Sequence, residues 1–271
     1  MAIDNFIPEL WEAGVQKDYF ANQIVIPTLN ADFEGTASKG NTVHIINAVT
    51  PTTVDYKAAG RVISPEALAD TKVDLLIDQE RAWALDIDDV DAVQAAGSFE
   101  AWTSGAGMST AEDAESYAVA QLLAGATNGQ ESTPVAIDTY EEAKAALRKI
   151  RLVMAKAKVP TAGRFVAVNP AFADLLISGL SDVALAGGSN ELRNGQVARL
   201  FGMDILETPA FAEATKPVAV GYHEKAAAFV SQIDKTEALR NPAKFGDIVR
   251  GLNVYGSKVT LPAGVVKYVS A

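Results

Sequence analysis

The sequence predicts an α+β protein in which an α/β unit is set within a strand-rich one, and three observations carry this expectation. Two alternating stretches, TVHIINAV from Thr42 and TKVDLLID from Thr71, read as strands separated by a long polar connection. The middle third alternates helical and strand patterns. Towards the C-terminus, AAAFVSQIDKTEAL and DIVRGLNVYGSKVTLP return to β-branched and aromatic residues, interrupted by Gly251 and Gly256 as bulges or bends of an antiparallel sheet.

The chain of 271 residues, 49% hydrophobic, is long enough to bury the core of one or two domains and has few polar tracts. No apolar run approaches the roughly 18 residues that cross a bilayer. MAIDNFIPEL has neither a basic region nor an apolar signal core, so the expected compartment is a cytoplasm. The absence of cysteine excludes disulfides, thiolate catalysis and cysteine-ligated metals. A net charge of −11 works against a phosphate backbone unless a basic patch is segregated on one face. The densest basic segment, Lys144, Arg148, Lys149, Arg151, Lys156 and Lys158, shares a helix with Glu141 and Glu142 and reads as a solvated face.

In chain order, residues 1–39 carry Phe6, Leu10, Trp11, Tyr19, Phe20 and Ile24. Pro8 opens a short helix that Gly14 weakens, and Pro27 closes the region. Such an arm must dock on the rest of the chain or on another copy, since each exposed large apolar group forfeits about 1.5–3 kcal/mol. The connection TPTTVDYKAAGRVISPEALAD between the two strands is unusually long, which points to a long hairpin whose tip rests on a neighbour. Asp86, Asp88, Asp89 and Asp91 invite a calcium loop. Counted from Asp86, however, the places for the third ligand, glycine and glutamate hold Val90, Asp91 and Gly97, so the cluster is assigned instead to a helix N-terminus.

Met108–Ala126 reads as an alanine-rich helix capped by Ser109 or Thr110, with Ala114, Tyr117, Ala118, Gln121 and Leu122 on one face. Asp138 and Glu141 form a capping pair for a helix running to about Lys158. A strand follows from Arg164 to Val168, then a helix from Asn169-Pro170 to near Gly179. Gly195 precedes Val197, Leu200 and Phe201, spaced for two helical turns. Gly202 ends them, and a strand begins at Met203.

No catalytic constellation emerges. His44 and His223 lack metal-ligand spacing, the Gly105–Gly107 and Gly187–Ser189 turns lie outside any clear βαβ unit, and the 34 acidic residues single out no pair. No catalytic, cofactor or metal site is assigned.

FIPELW, VIPTLNADFEG and GNTVHI, then VDLLIDQERAWALDIDDVDAVQ, VPTAGRFVAVNPAFADLL and NGQVARLFGMDILET, together resemble the major capsid proteins of tailed bacteriophages in order and spacing. The resemblance implies an amino-terminal arm (1–39), an extended β-hairpin loop (40–80), a peripheral domain with a long spine helix (81–135 and 222–271) and an α/β axial domain (136–221). It also implies a structural subunit that forms pentamers and hexamers of an icosahedral shell around double-stranded DNA, without sequence-specific or membrane binding. Such a shell is assembled in a bacterial cytoplasm, with separate scaffolding, portal and decoration proteins as partners. Some relatives begin with a scaffolding segment; this chain begins at the arm, so scaffolding is expected to come from another protein or to be absent. Some crosslink their subunits, and although Lys57 lies in the expected loop, no partner asparagine or catalytic glutamate is matched. Trp11, Phe20, Tyr56, Lys57 and Arg61 are the expected intersubunit contacts. The alternatives are an encapsulin-type compartment shell and an α/β enzyme with a lid at residues 50–70.

Overall fold

The structure is a computed structural model that describes residues 23–33, 41–48, 53–58, 60–62, 70–88, 100–129, 136–180, 196–213 and 215–271. Among the described residues, eleven strands and three α-helices run in the order β1 (Thr42–Ala48), β2 (Asp70–Leu76), β3 (Gln79–Asp88), α1 (Glu100–Gly125), β4 (Thr127–Asn128), α2 (Tyr140–Lys156), β5 (Arg164–Val168), α3 (Pro170–Leu180), β6 (Gln196–Leu200), β7 (Met203–Glu207), β8 (Val218–His223), β9 (Ala227–Arg240), β10 (Gly246–Val259) and β11 (Val265–Val269). They form a β1–β2 hairpin, a three-stranded sheet in the order β3–β10–β9, and a six-stranded sheet in the order β4–β11–β8–β5–β7–β6.

The two alternating strands flanking the long connection pair antiparallel, from Thr42 opposite Leu76 to Ala48 opposite Asp70. Their alternation divides the hairpin by face. Val43, Ile45, Leu75 and Ile77 are buried against Ala228, Val230 and Val254, whereas Ile46 and Leu76 stay exposed. Where β2 ends, its backbone crosses β10 so closely that a Cβ on Gly256 would collide with the Leu76 carbonyl oxygen. Gly251 likewise leaves room for the Trp83 indole. Neither glycine is the expected bulge, and the register shift falls between Val254 and Tyr255.

On the opposite face of the three-stranded sheet lies α1, whose Ala111, Ala114, Ala118, Val119 and Leu122 share a core with Phe229, Tyr255 and Val259. The small side chains let the helix approach closely: a Cβ on Gly125 would stand 2.6 Å from Val259. This helix starts at Glu100, not at Met108, and Thr110 is no cap; its hydroxyl donates to the Ala106 carbonyl one turn back at 2.8 Å. Gly105 and Gly107 weaken the local pattern by about 1 kcal/mol each, and cooperative propagation carries the helix through them.

The six-stranded sheet holds a second core on its α2–α3 side, built from Ala146, Leu147, Ile150, Val166, Phe172, Leu176 and Ile205. Its other side, through Ala167, Val220, Tyr222 and Val265, belongs to the α1 core. The helix α2 is capped one residue later than its sequence suggests. The Thr139 hydroxyl accepts from the Glu142 N–H, and the Glu142 carboxylate accepts from the Thr139 and Asp138 N–H groups at 3.0 Å.

Two further expectations fail for identifiable reasons. Asp86 and Asp88 are not at a helix N-terminus but end β3, because the long β10 supplies pairing partners as far as Gly246 opposite Asp88. Asp89 and Asp91 lie outside the described residues. The segment around Val197 and Leu200 is strand β6, not helix. Phe201 and Gly202 both have positive φ, 54° and 78°, which makes the tight two-residue hairpin that joins β6 to β7 and overrides the apolar spacing. Gly202→Val is therefore expected to cost more than about 1 kcal/mol. A Cβ there meets nothing within 4 Å, so the cost is conformational, and Gly202→Asn should be much milder. An unchanged melting temperature in the valine variant would contradict this turn.

Candidate functional site

The tip of the β1–β2 hairpin is built by local hydrogen bonding. The Asp55 carboxylate accepts from the N–H groups of Lys57 and Ala58 at 2.9 and 3.2 Å, and the Arg61 N–H closes on the Tyr56 carbonyl at 2.9 Å. Gly60 and Arg61 are both left-handed, at φ 66° and 63°. The described tip residues are exposed: Val54 59%, Tyr56 51% and Val62 70%. Tyr56, Lys57 and Arg61 thus come together on one turn, and Val54 and Val62 add apolar surface that their isolation in a polar tract concealed. Trp11 and Phe20 lie outside the described residues.

Residues 23–33 are held firmly. Val25 and Leu29 are buried in the α1 core, and Asn30 bridges to β9, its N–H donating to the Ala227 carbonyl at 3.0 Å. Glu115 of α1, only 3% exposed, ties three segments together. Its carboxylate accepts from the Ile24 N–H at 2.6 Å and from the Thr208 hydroxyl, after β7, at 2.7 Å. The Val25 N–H also hydrogen-bonds to it. Burial pushes this carboxyl above its usual value despite those bonds. Beside it, the buried Tyr222 hydroxyl shares a 2.6 Å hydrogen bond with Thr28, and burial raises the phenol as well.

The outward face of the three-stranded sheet bears a shallow groove lined by Ala82, Ala84, Leu252, Lys235, Glu237 and Arg250, with Arg250 3.3 Å from Glu237. At the β9–β10 turn, Phe245 is 81% exposed. That turn is braced on β3, where Lys244 at 2.6 Å and Asn241 at 3.2 Å reach the Asp86 carboxylate and hold it below its usual range. Sequence reasoning missed Leu252, whose surroundings alternate as any half-buried strand does, and Phe245, which sits in the turn between two strands.

The two histidines stand apart from one another. His44 bonds Asp74 at 2.7 Å on the exposed hairpin face, and His223 is buried on β8, accepting the Lys225 N–H at 3.2 Å. Among the described residues no cluster of three or more metal-ligating side chains occurs.

The phage capsid protein family matches residues 79–268. A chain of Mycobacterium phage Che8 is 40% identical, covering 91% of this chain and 91% of its own length at a TM-score of 0.78. The capsid structure of Cyanophage P-SCSP1u shares the fold at 17% identity, with coverage of 86% and 84% and a TM-score of 0.69. The virus-like particle from Pyrococcus furiosus does so at 12% identity, with coverage of 96% and 98% and a TM-score of 0.63. No curated protein sequence matches the chain. With its family established over most of its length, the chain belongs to the phage capsid proteins: it is a structural, major capsid protein with the tailed-phage major capsid fold.

Proposed function

We propose that copies of this chain close into an icosahedral shell of pentamers and hexamers enclosing double-stranded DNA without reading its sequence, and that the chain performs no catalysis. Its place in the virion is the capsid. Assembly takes place in the bacterial cytoplasm with separate scaffolding, portal and decoration proteins. The subunit divides into an arm (1–39), an extended loop (40–80), a peripheral domain (81–135 and 222–271) and an axial domain (136–221), with β11 reaching back to the axial sheet. Trp11, Phe20, Tyr56, Lys57 and Arg61 contact neighbouring copies.

The observation that carries this reading is a hairpin buried at its base and exposed throughout the described part of its tip. Groups so placed add little to the fold of their own subunit and are available to another. Shell closure favours many reversible contacts, each worth about 4 kcal/mol, or roughly millimolar, and strong only when several must break together. Light scattering on the purified full chain should show concentration-dependent growth of large particles. A strictly monomeric profile at high concentration, with scaffold supplied, would overturn the reading. Nuclease-resistant DNA inside virion-derived particles is expected, and a protein cargo in its place would indicate a compartment shell.

A further inference from the structure

From Lys144 to Arg164 the chain carries seven basic residues and no acidic one, leaving sixteen basic against thirty-four acidic residues elsewhere. The structure shows how this segregation is used. Ala143, Ala146, Leu147, Ile150 and Met154 bury one side of α2, so Arg148, Lys149, Arg151 and Lys156 project from the exposed side, with Lys158 just beyond the helix. The two carboxylates that made the segment look mixed stand at its first turn. Glu142 is engaged in the cap, and Glu141 reaches only Lys144, at 3.9 Å. Among the described residues Arg148, Lys149, Arg151, Lys156 and Lys158 have no carboxylate partner.

Favourable interaction with the helix dipole accounts for cations at Lys156 and Lys158, near the C-terminus, but not for Arg148, Lys149 and Arg151 in mid-helix. We propose that this face of α2 holds the phosphate backbone of double-stranded DNA; the inference rests on the reading that the shell encloses DNA. The face is rich in lysine and has no aromatic residue, whereas protein–protein interface cores are depleted in lysine and enriched in aromatics. It offers no asparagine or glutamine to adenine edges, and exposed lysine and arginine stems suit contact with phosphates, which carries no sequence information. Arg148 and Lys156 are about 12 Å apart along the helix axis, enough to follow several phosphates of a duplex that presents one charge per roughly 1.7 Å. The rest of the acidic chain repels the duplex, which confines contact to this stripe and keeps it weak.

The test compares the full-length protein with a Lys149→Glu/Arg151→Glu/Lys156→Glu variant, using fluorescence anisotropy of a mixed-sequence 30-base-pair duplex. For about three neutralised phosphates, wild-type affinity should fall roughly 40-fold between 50 and 200 mM salt. The variant should bind at least about tenfold more weakly at the lower salt, with a flatter salt dependence. Its melting temperature and its shells in negative-stain microscopy should be unchanged. Equal binding by the two proteins, or no binding by the wild type, overturns the proposal. So does a variant that still binds DNA but no longer builds shells, since the face would then belong to a neighbouring copy. If the wild type binds as expected but never assembles, the shell reading fails while the phosphate contact stands.

Discussion

Replacing Asp55 to Pro65 by a short glycine–serine turn is expected to abolish shell formation while leaving the subunit folded. The described residues of this segment are exposed and their hydrogen bonds are local, so removing them deletes no core contact. Shortening the loop eases closure by a fraction of about 0.6 kcal/mol, and surface changes of this kind usually fall within about 0.5 kcal/mol. The hairpin base remains, because Val43, Ile45, Leu75 and Ile77 stay seated on β9 and β10. What disappears is an aromatic ring, one valine and two long cationic stems, groups that matter most when desolvated between proteins. Thermal melting by circular dichroism reads the fold, and sedimentation with negative-stain microscopy reads the shell. Normal shells from the shortened chain, or outright unfolding, would remove the hairpin from its assigned role.

Glu115→Ala should destabilise the subunit by about 3 kcal/mol or more. It strands the N–H groups of Ile24 and Val25 and the Thr208 hydroxyl in a buried site, and each unsatisfied donor costs about 1–3 kcal/mol. The expected result is loosening of residues 23–33 from α1, read as faster hydrogen exchange at Ile24 and Val25 with the six-stranded sheet still protected. The pH dependence has a definite sign. Burial raises the folded-state carboxyl above its usual 4.5, so the folded state binds this proton more tightly than the unfolded chain does. Glu115 therefore contributes most below pH 4.5, and that contribution is lost as the pH rises through the folded value. Asp74, Asp86, Glu142 and Glu213, held low by their hydrogen bonds, lose theirs as the pH falls. Those groups are common to the wild type and to Glu115→Gln, so they cancel in the difference between the two. Urea unfolding of unassembled protein should show the wild type losing stability relative to Glu115→Gln as the pH rises above 4.5. A difference that is flat or grows with pH would contradict the buried carboxyl.

The elements legible in the sequence were those whose local pattern and tertiary setting agree. The Arg164–Val168 strand, the helix opened by Pro170 and the pairing of β1 with β2 follow from alternation, proline at a first helical position and turn residues. The misses come where a long-range partner or a turn decides. Asp86 and Asp88 look like a helix start until β10 is seen to extend alongside them. Val197 and Leu200 have helical spacing, but the left-handed pair Phe201–Gly202 folds them back on β7. Of the expected contact residues, Tyr56, Lys57 and Arg61 share one turn because Asp55 organises it, a side-chain-to-backbone device that periodicity does not reveal. Phe245 escaped notice because its exposure depends on how Asn241 and Lys244 brace the neighbouring strand.

Electron cryomicroscopy of the assembled wild-type particle tests the central claim most directly, because one map reports both closure and the position of the hairpin. Closed shells with five-fold and six-fold clusters are predicted, with residues 53–62 of each subunit lying against a neighbouring copy. A map in which those residues touch only their own subunit or solvent, or particles that form open sheets with no five-fold positions, would contradict the account.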